Sequence, residues 1–290
     1  MPLDDLPDET EQRGVNQDPR LSRRGFGLAS LAVGAAMAGK AAAGETVMEM
    51  DVTVAMPDGQ CDAAYFHGAD HKPRPGVVIV TDVMGLRPVF RQMGNRLAEA
   101  GYSVLVPNVY YRSQKAPLIT GKFDFSNPAD REKLAAPRAL LTPDNVTRDC
   151  VAYIEWLDRQ KTVNTAAKIG FSGYCMGGPI VVRAAAARPD RVGAAGSFHG
   201  GGLTTDAADS PHLLAPKIKA AMYFGIAAND DAKQPQSKTI LKSAFEGHDA
   251  TVEVYAANHG WCVPGSAAYN EAEAERAWAA LLAMFGRALV

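Results

Sequence analysis

A cysteine between glycines is the feature of this chain that most directly suggests chemistry. Cys175 stands in the segment Gly-Tyr-Cys-Met-Gly-Gly, residues 173–178, which follows an apolar run and precedes a run of small residues. This arrangement is typical of a nucleophile elbow, a strained strand-to-helix turn that lifts a side chain above a sheet. N–H groups at the start of the helix would stabilise a thiolate and donate to an oxyanion. The pattern therefore predicts that Cys175 attacks a carbonyl group, although an isolated cysteine is more often a buried packing residue.

A thiol nucleophile needs a histidine to move its proton, and the elbow arrangement places that histidine later in the chain. His259 follows the last strand-like run and precedes the last helical pattern, so we expect it to be the base. His199 closes an earlier strand-like run, and we expect it to line the site. The other histidines lie in loops or in polar stretches: His67, His71, His212 and His248.

A carboxylate is expected between the nucleophile and the histidine, where it would fix the tautomer of the imidazole. Asp230 and Asp231 both follow the strand-like run of residues 220–227. We favour Asp230, which comes first after the strand, and expect Asp231 to be a solvated loop residue. Such a triad needs neither a metal nor an organic cofactor. The cysteines also lack the spacing of a zinc site, and the sequence has no Gly-x-Gly-x-x-Gly nucleotide fingerprint.

The alternation of strand-like and helical patterns along the sequence predicts the elements that must position these residues. From residue 75 onwards, buried β-branched runs alternate with helical patterns, which predicts an α/β fold with a mostly parallel central sheet and helices on both faces. Residues 47–68 read as an N-terminal antiparallel hairpin with a Pro-Asp-Gly turn. Functional groups of such sheets gather at the carboxyl ends of the strands. Residues 112–142 are polar and proline-rich, which predicts a lid-like insertion over that edge.

The composition agrees with one globular domain that acts on a small molecule. The chain has 290 residues, is 47% hydrophobic and carries a net charge of −2. Its basic residues are scattered after residue 24 and form no stripe, so nothing indicates binding to nucleic acid. We therefore expect a single domain over residues 45–290.

The first 44 residues differ from the rest and read as a targeting segment. A polar start is followed by Ser-Arg-Arg-Gly-Phe-Gly-Leu (residues 22–28), a stretch rich in Ala and Gly, and an Ala-x-Ala site. This order predicts a twin-arginine signal peptide over residues 1–44, cleaved near Ala43, and hence a periplasmic protein that engages the twin-arginine export machinery. We expect no stable membrane insertion, because the apolar residues 26–39 fall short of the roughly 20 that a bilayer requires.

Four segments give the chain a resemblance to the dienelactone hydrolase family of α/β-hydrolases, over about residues 47–288. They are Val-Ile-Val-Thr-Asp-Val-Met-Gly-Leu-Arg-Pro (78–88), Gly-Phe-Ser-Gly-Tyr-Cys-Met-Gly-Gly (170–178), Gly-Ile-Ala-Ala-Asn-Asp (225–230) and Asn-His-Gly-Trp-Cys-Val-Pro (258–264). A cysteine at the elbow separates this family from its serine-dependent relatives. The resemblance implies an α/β-hydrolase fold and a catalytic triad of Cys175, His259 and Asp230.

The resemblance also implies an oxyanion hole, formed by the backbone N–H groups of Met176 and Val83. In well-known members a glutamate stands where this chain has Asp82, and it is thought to hold the resting thiol. Asp82 is one methylene shorter, so it is either a carboxylate that modulates the thiol of Cys175 or one that caps the adjacent loop.

The substrate-binding residues of the archetypal members are only partly matched. Those members place an arginine four residues after the catalytic histidine to grip a substrate carboxylate, and that position is Val263 here. Arg112 or Arg131 would be the alternative source of a cation, although either is more often an ordinary surface residue. Candidate walls of the pocket are Tyr110, Tyr111, His199 and Trp261. They would suit an ester or lactone of modest size.

The sequence thus predicts a hydrolase of a carboxylic ester or lactone, similar to a carboxymethylenebutenolidase, that uses a cysteine nucleophile. A thioesterase or acyltransferase with the same thiol chemistry is the first alternative. A dehalogenase is disfavoured, because that activity calls for a carboxylate at the elbow. A non-catalytic periplasmic binding module is the alternative from a different class. The natural substrate and the oligomeric state do not follow from the sequence.

Overall fold

The computed structural model describes residues 46–290, so the export signal expected over residues 1–44, with its cleavage site near Ala43, lies outside the described residues. Eight strands span, in chain order β1 to β8, Val47–Met56, Gly59–Gly68, Gly76–Val80, Ser103–Pro107, Ile169–Tyr174, Val192–Phe198, Ala221–Ala227 and Ala250–Tyr255. They form one sheet in the order β1-β2-β4-β3-β5-β6-β7-β8. The β1–β2 and β2–β4 pairs are antiparallel, and the remaining pairs are parallel.

Seven helices connect the strands or close the described chain. In chain order α1 to α7 they span Pro88–Glu99, Pro128–Ala139, Pro143–Asp158, Gly177–Ala187, Ala228–Lys233, Ser237–Ala244 and Glu271–Ala288. A 3₁₀ turn, Pro211–Lys217, precedes β7. This arrangement confirms the predicted α/β-hydrolase-like fold and the antiparallel hairpin at its start.

Helices cover both faces of the sheet, which explains why its central strands are buried on both sides. Successive side chains of a strand point to opposite faces. In β3, Val78 and Val80 join the core that α3 and α4 cover, whereas Val77 and Ile79 join the core that α1 and α7 cover. Every residue of β3, β4 and β5 is buried, as expected for parallel strands between two helical layers.

The expected lid-like insertion contains a helix that the sequence pattern did not indicate. α2 lies within residues 112–142, and the side chain of Asn127 caps it by accepting a hydrogen bond from the N–H of Ala129 at 2.9 Å. Leu134 is its one buried residue. A single buried position produces no helical period of hydrophobic residues, so the sequence of this insertion does not indicate a helix. Whether the insertion acts as a lid stays a prediction.

The described residues were also searched for a helix that could cross a membrane. None of those in residues 46–290 combines the length and the hydrophobicity that a bilayer span requires.

Two helical glycines make a matched pair for a test of packing against the sheet. A Cβ at Gly94 in α1 would lie 2.7 Å from Cε2 of Phe66 and 3.0 Å from Cγ2 of Val106, whereas Gly286 in α7 has open space at the same position. We expect Gly286→Ala to raise the free energy of unfolding by about 0.5–1 kcal/mol, because alanine restricts the unfolded chain. Gly94→Ala should lower it by about 1–3 kcal/mol through overpacking. Urea unfolding followed by circular dichroism measures both, and equal stabilisation by the two changes would contradict the packing described for α1.

Candidate active site

The backbone at Cys175 is held in a conformation that side chains rarely adopt. Cys175 has φ of 52°, between the end of β5 and the start of α4. Its N–H donates to the carbonyl of Phe198 at 3.0 Å, and its carbonyl accepts from the N–H of Gly178 at 3.0 Å. Non-glycine residues with positive φ cost about 1–3 kcal/mol and cluster at functional sites. The side chain is half-buried, whereas the other three cysteines are buried.

Three glycines allow this turn because a methyl group at any of them would collide with backbone or side-chain atoms. A Cβ at Gly173 would lie 2.3 Å from the carbonyl oxygen of Gly177, and one at Gly177 would lie 2.5 Å from the carbonyl oxygen of Val80. At Gly178 it would lie 2.4 Å from Oγ of Ser197. The elbow is therefore wedged against the carboxyl ends of the two neighbouring strands, β3 and β6.

A histidine and a carboxylate from two other strand ends meet beside the elbow. Nδ1 of His259 lies 2.7 Å from Oδ2 of Asp230, which stands in the first turn of α5. The backbone N–H of His259 donates to Oδ1 of Asn229 at 2.8 Å. Two neighbouring side chains thus fix both the ring and the backbone of His259. The sequence had indicated the carboxylate but not the part of Asn229.

Asp231, the alternative carboxylate, faces away from this contact. Its Oδ2 pairs with Nζ of Lys238 at 2.7 Å, and Lys238 belongs to the next helix, α6. Of the two adjacent acids, the structure therefore brings Asp230 and not Asp231 to the histidine.

The sulfur of Cys175 and one ring nitrogen from each of His259 and His199 lie within 4.8 Å of one another. Nε2 of His259 is buried and forms no hydrogen bond with any of the described residues. Burial acts to lower the pKa of His259, but the nearby charge of Cys175 and the hydrogen bond and charge of Asp230 outweigh it and raise the pKa well above its usual value. The arrangement thus favours the imidazolium form of His259.

One buried tyrosine, Tyr110, contacts both residues that are expected to supply the oxyanion donors. The hydroxyl of Tyr110 donates to the carbonyl oxygen of Val83 at 2.9 Å and lies 3.2 Å from Sδ of Met176. Burial raises the pKa of Tyr110, so the hydroxyl stays a donor. Within residues 46–290, the N–H groups of Val83 and Met176 donate to no backbone carbonyl in a turn, loop or cap. Tyr110 therefore holds both residues expected to supply the oxyanion donors, and its contact with substrate stays a prediction.

His199 is the least expected feature of the site. It is buried, with φ of 42°, and its ring centroid lies 4.8 Å from that of His259 and 5.1 Å from that of Trp261. Neither ring nitrogen has a hydrogen-bond partner among the described residues. Burial, together with the charge of His259, lowers the pKa of His199 well below its usual value, so its ring is neutral. Its place at a strand end suggested a wall, but nothing in the sequence indicated such closeness to the sulfur.

Comparison with known proteins identifies the family. The model of the dienelactone hydrolase family matches residues 63–289. The chain belongs to the dienelactone hydrolase family. This membership makes it a hydrolase of the class that cleaves ester or lactone bonds.

Individual relatives are distant. A carboxymethylenebutenolidase of Rhodococcus opacus is 28% identical over 53% of this chain and 55% of its own length. Carboxymethylenebutenolidase 1 of Cupriavidus pinatubonensis is 24% identical over 68% of this chain and 80% of its own length. A dienelactone hydrolase-like promiscuous phosphotriesterase, P91, from metagenomic libraries has a similar structure, with a TM-score of 0.67 and 22% identity over 84% of this chain and 99% of its own. At that identity the likeness to P91 concerns the fold alone.

Asp82 of the hydrolase is engaged by an arginine rather than by the thiol. Its two carboxylate oxygens accept from Nη1 and Nη2 of Arg87 at 2.6 and 2.7 Å, and Oδ1 also accepts from the N–H of Met84 at 2.9 Å. These contacts are those expected of a loop-capping carboxylate, whereas the thiol-modulating role of Asp82 stays a prediction.

Tyr111 and Arg112 of the hydrolase lie in a network of hydrogen bonds and ion pairs, and their contact with substrate stays a prediction. Arg112 pairs with Asp149, whose side chain is 4% exposed, at 2.6 Å, and with Asp58 at 2.7 Å. The hydroxyl of Tyr111 donates to Asp149 at 3.0 Å. Because Asp149 belongs to α3 and Asp58 to the β1–β2 turn, this network ties the hairpin to the domain. Arg131, the other candidate cation, donates to the carbonyl of Phe125 at 2.7 Å.

Trp261 and Cys262 of the hydrolase are packing residues next to the site. Trp261 is fully buried and stacks on Tyr255, with ring centroids 4.8 Å apart. Trp261 therefore packs against the ring of His199 and does not itself form a surface that substrate could reach. Cys262 is buried and free, as expected for a packing residue.

Proposed function

We propose that the protein hydrolyses a carboxylic ester or lactone through a Cys175–His259–Asp230 triad. The observation that carries the proposal is the position of His259. One ring nitrogen is held by Asp230 at 2.7 Å, and the same ring lies beside a thiol that a strained turn presents. A base oriented by an acid and adjacent to a nucleophile is the arrangement that covalent acyl transfer requires. Catalytic contacts are often long in the absence of substrate, so the loose contact between His259 and Cys175 agrees with this role.

In the acylation step the thiolate of Cys175 adds to the carbonyl carbon, and the π electron pair moves onto the oxygen. The N–H groups of Met176 and Val83 donate to that oxyanion, and each such donor is worth about 3–4 kcal/mol in comparable sites. As the carbonyl re-forms, the bond to the alcohol oxygen breaks. The imidazolium of His259 gives its proton to that leaving oxygen, which leaves a thioester on Cys175.

In the deacylation step His259 takes a proton from water as the water oxygen adds to the thioester carbon. Collapse of the second oxyanion breaks the carbon–sulfur bond and restores the thiolate and the imidazolium. Asp230 holds the imidazole in one tautomer throughout. These steps need only groups of this chain and water.

The surroundings of the site favour an ester or lactone without a carboxylate near the reacting bond. Val263, which stands where the archetypal members place a substrate-binding arginine, is buried in the core. Arg112 and Arg131 are engaged elsewhere. The carboxymethylenebutenolidase activity after which two relatives are named belongs to the same reaction class.

Replacing the nucleophile tests the mechanism. We expect Cys175→Ala to lower kcat for a chromogenic short-chain ester by at least about 10⁴-fold, because the covalent route is lost. Cys262→Ala is the matched control, since it removes a buried sulfur three positions after His259 and should leave activity and folding intact. Trapping of the thioester on Cys175 by mass spectrometry completes the measurement. Equal turnover by the wild type and Cys175→Ala would refute the proposal.

The adjacent acids offer a second test with a built-in control. Asp230→Asn should lower kcat by about 10³–10⁴-fold while leaving the fold intact, because the amide holds the imidazole in the wrong tautomer. Asp231→Asn removes only a partly exposed ion pair with Lys238, which is worth about 1 kcal/mol or less, and should leave kcat nearly unchanged. Steady-state kinetics of both variants measures the loss of kcat, and thermal unfolding checks that each variant is folded. The reverse order of activities would assign the acid to Asp231.

We also propose that residues 1–44 direct the folded protein to the periplasm through the twin-arginine pathway. The support is the order of an arginine pair, a weakly apolar stretch and an Ala-x-Ala site. Replacing Arg23 and Arg24 by lysines should leave an uncleaved precursor in the cytoplasmic fraction of a bacterial host. Lysines at Arg13 and Arg20, outside the pair, are the control. Unchanged processing and recovery of the Arg23 and Arg24 variant from the periplasm would contradict the proposal.

A further inference from the structure

We propose that Cys175, His199 and His259 together bind a thiophilic divalent cation, with Zn²⁺ as the principal candidate, and that the bound cation blocks the nucleophile. Binding at this site is independent of the proposed function, whereas the inhibition that follows from it rests on that function.

The donor set and its spacing suit zinc. One thiolate and two imidazoles are among the ligands that Zn²⁺ prefers, and three protein ligands leave a fourth position for water. The three ligand atoms already lie within 4.8 Å of one another. Ligands bound to tetrahedral zinc at about 2.0–2.3 Å lie about 3.5 Å apart, so about 1 Å of side-chain movement would complete the site.

His199 supplies the second, independent observation. Its ring is 1% exposed, yet both of its nitrogens lack a hydrogen-bond partner among the described residues. A buried polar group without a partner costs about 1–3 kcal/mol. A cation beside Cys175 would give one of these nitrogens a partner, and the triad does not use either of them.

His259 is prepared for coordination in the same way as the histidines of zinc enzymes. Nδ1 is held by Asp230 at 2.7 Å, which leaves the buried Nε2 as the nitrogen available for a cation. A carboxylate that accepts from the second nitrogen of a ligand fixes its orientation and raises its basicity. On binding, the cation displaces the proton of the Cys175–His259 pair into solvent, and the thiolate sulfur donates its electron pair to the metal instead of to a carbonyl carbon.

The direct test is titration of the untagged wild-type protein with Co²⁺, which takes the place of Zn²⁺ and reports thiolate coordination by absorption. We expect one Co²⁺ per chain, a thiolate-to-cobalt band, and loss of that band when Zn²⁺ is added. Prior alkylation with iodoacetamide should remove the band, because Cys175 is the only cysteine among the described residues that is not buried. This arm needs no variant and is independent of any effect on folding.

Variants then assign the ligands. His199→Asn, which tolerates the positive φ, and His199→Phe, which keeps the ring packing, should each weaken Co²⁺ binding at least about tenfold. Cys175→Ala should abolish the thiolate band. His71→Gln removes an exposed histidine with positive φ far from the elbow and is the matched control, with unchanged binding.

The outcomes separate this inference from the proposed function. Absence of the thiolate band in wild type, or equal Co²⁺ affinity in wild type and both His199 variants, overturns the metal site even if Cys175-dependent ester hydrolysis is observed. Stoichiometric binding that depends on Cys175 and His199 supports the site even in a protein without esterase activity. Where activity is present, added Zn²⁺ should abolish it reversibly, with recovery on chelation. Turnover that persists with the site filled overturns the inhibitory role.

Discussion

The strained turn at Cys175 is the constraint on which the rest of the site depends. A cysteine with φ of 52° has no intrinsic preference for that conformation, so its neighbours must impose it. They do so through the absence of side chains at Gly173, Gly177 and Gly178, which lets the elbow press against the ends of the adjacent strands. The core beneath thus stabilises a local conformation that raises the sulfur clear of the sheet. The packing of the domain thus offsets the strain of the turn and fixes the position of the sulfur.

The partners of the sulfur reach it because parallel strands end at a common edge. Ala227 of β7 pairs with Tyr255 of β8, so the two chains leave the sheet side by side. Asp230 and His259 follow within a few residues of these ends and meet without any long loop. The contact from Asn229 to the backbone of His259 links the two segments a second time. The site is therefore attached to rigid elements, which suits a reaction that depends on sub-ångström placement.

The sequence contained most of the fold and the order of the reacting residues, since both follow from periodicity and from strand ends. Contacts that depend on loop conformation or on distant side chains could not be predicted from the sequence. Asp82 finds Arg87 five positions away, a pairing set by the shape of a turn. Arg112 pairs with Asp149 of α3, 37 positions away, and no local pattern distinguishes that arginine from a substrate-binding one. His199 shows the same limit, because its distance from the sulfur depends on how β5 and β6 end relative to each other.

The unequal burial of the cysteines has a consequence for the redox behaviour of the molecule. Burial, with the nearby charge of Asp62, raises the pKa of Cys61 to about 12, and burial likewise raises the pKa of Cys150 and of Cys262. Oxidants react with thiolates rather than with thiols, so these three sulfurs are chemically inert. Among the described residues Cys175 is the one cysteine that is not buried, so it is the sulfur that an oxidant can reach and convert to a sulfenic acid. Under the proposed mechanism, peroxide would inactivate the protein at a single atom while its fold remains intact.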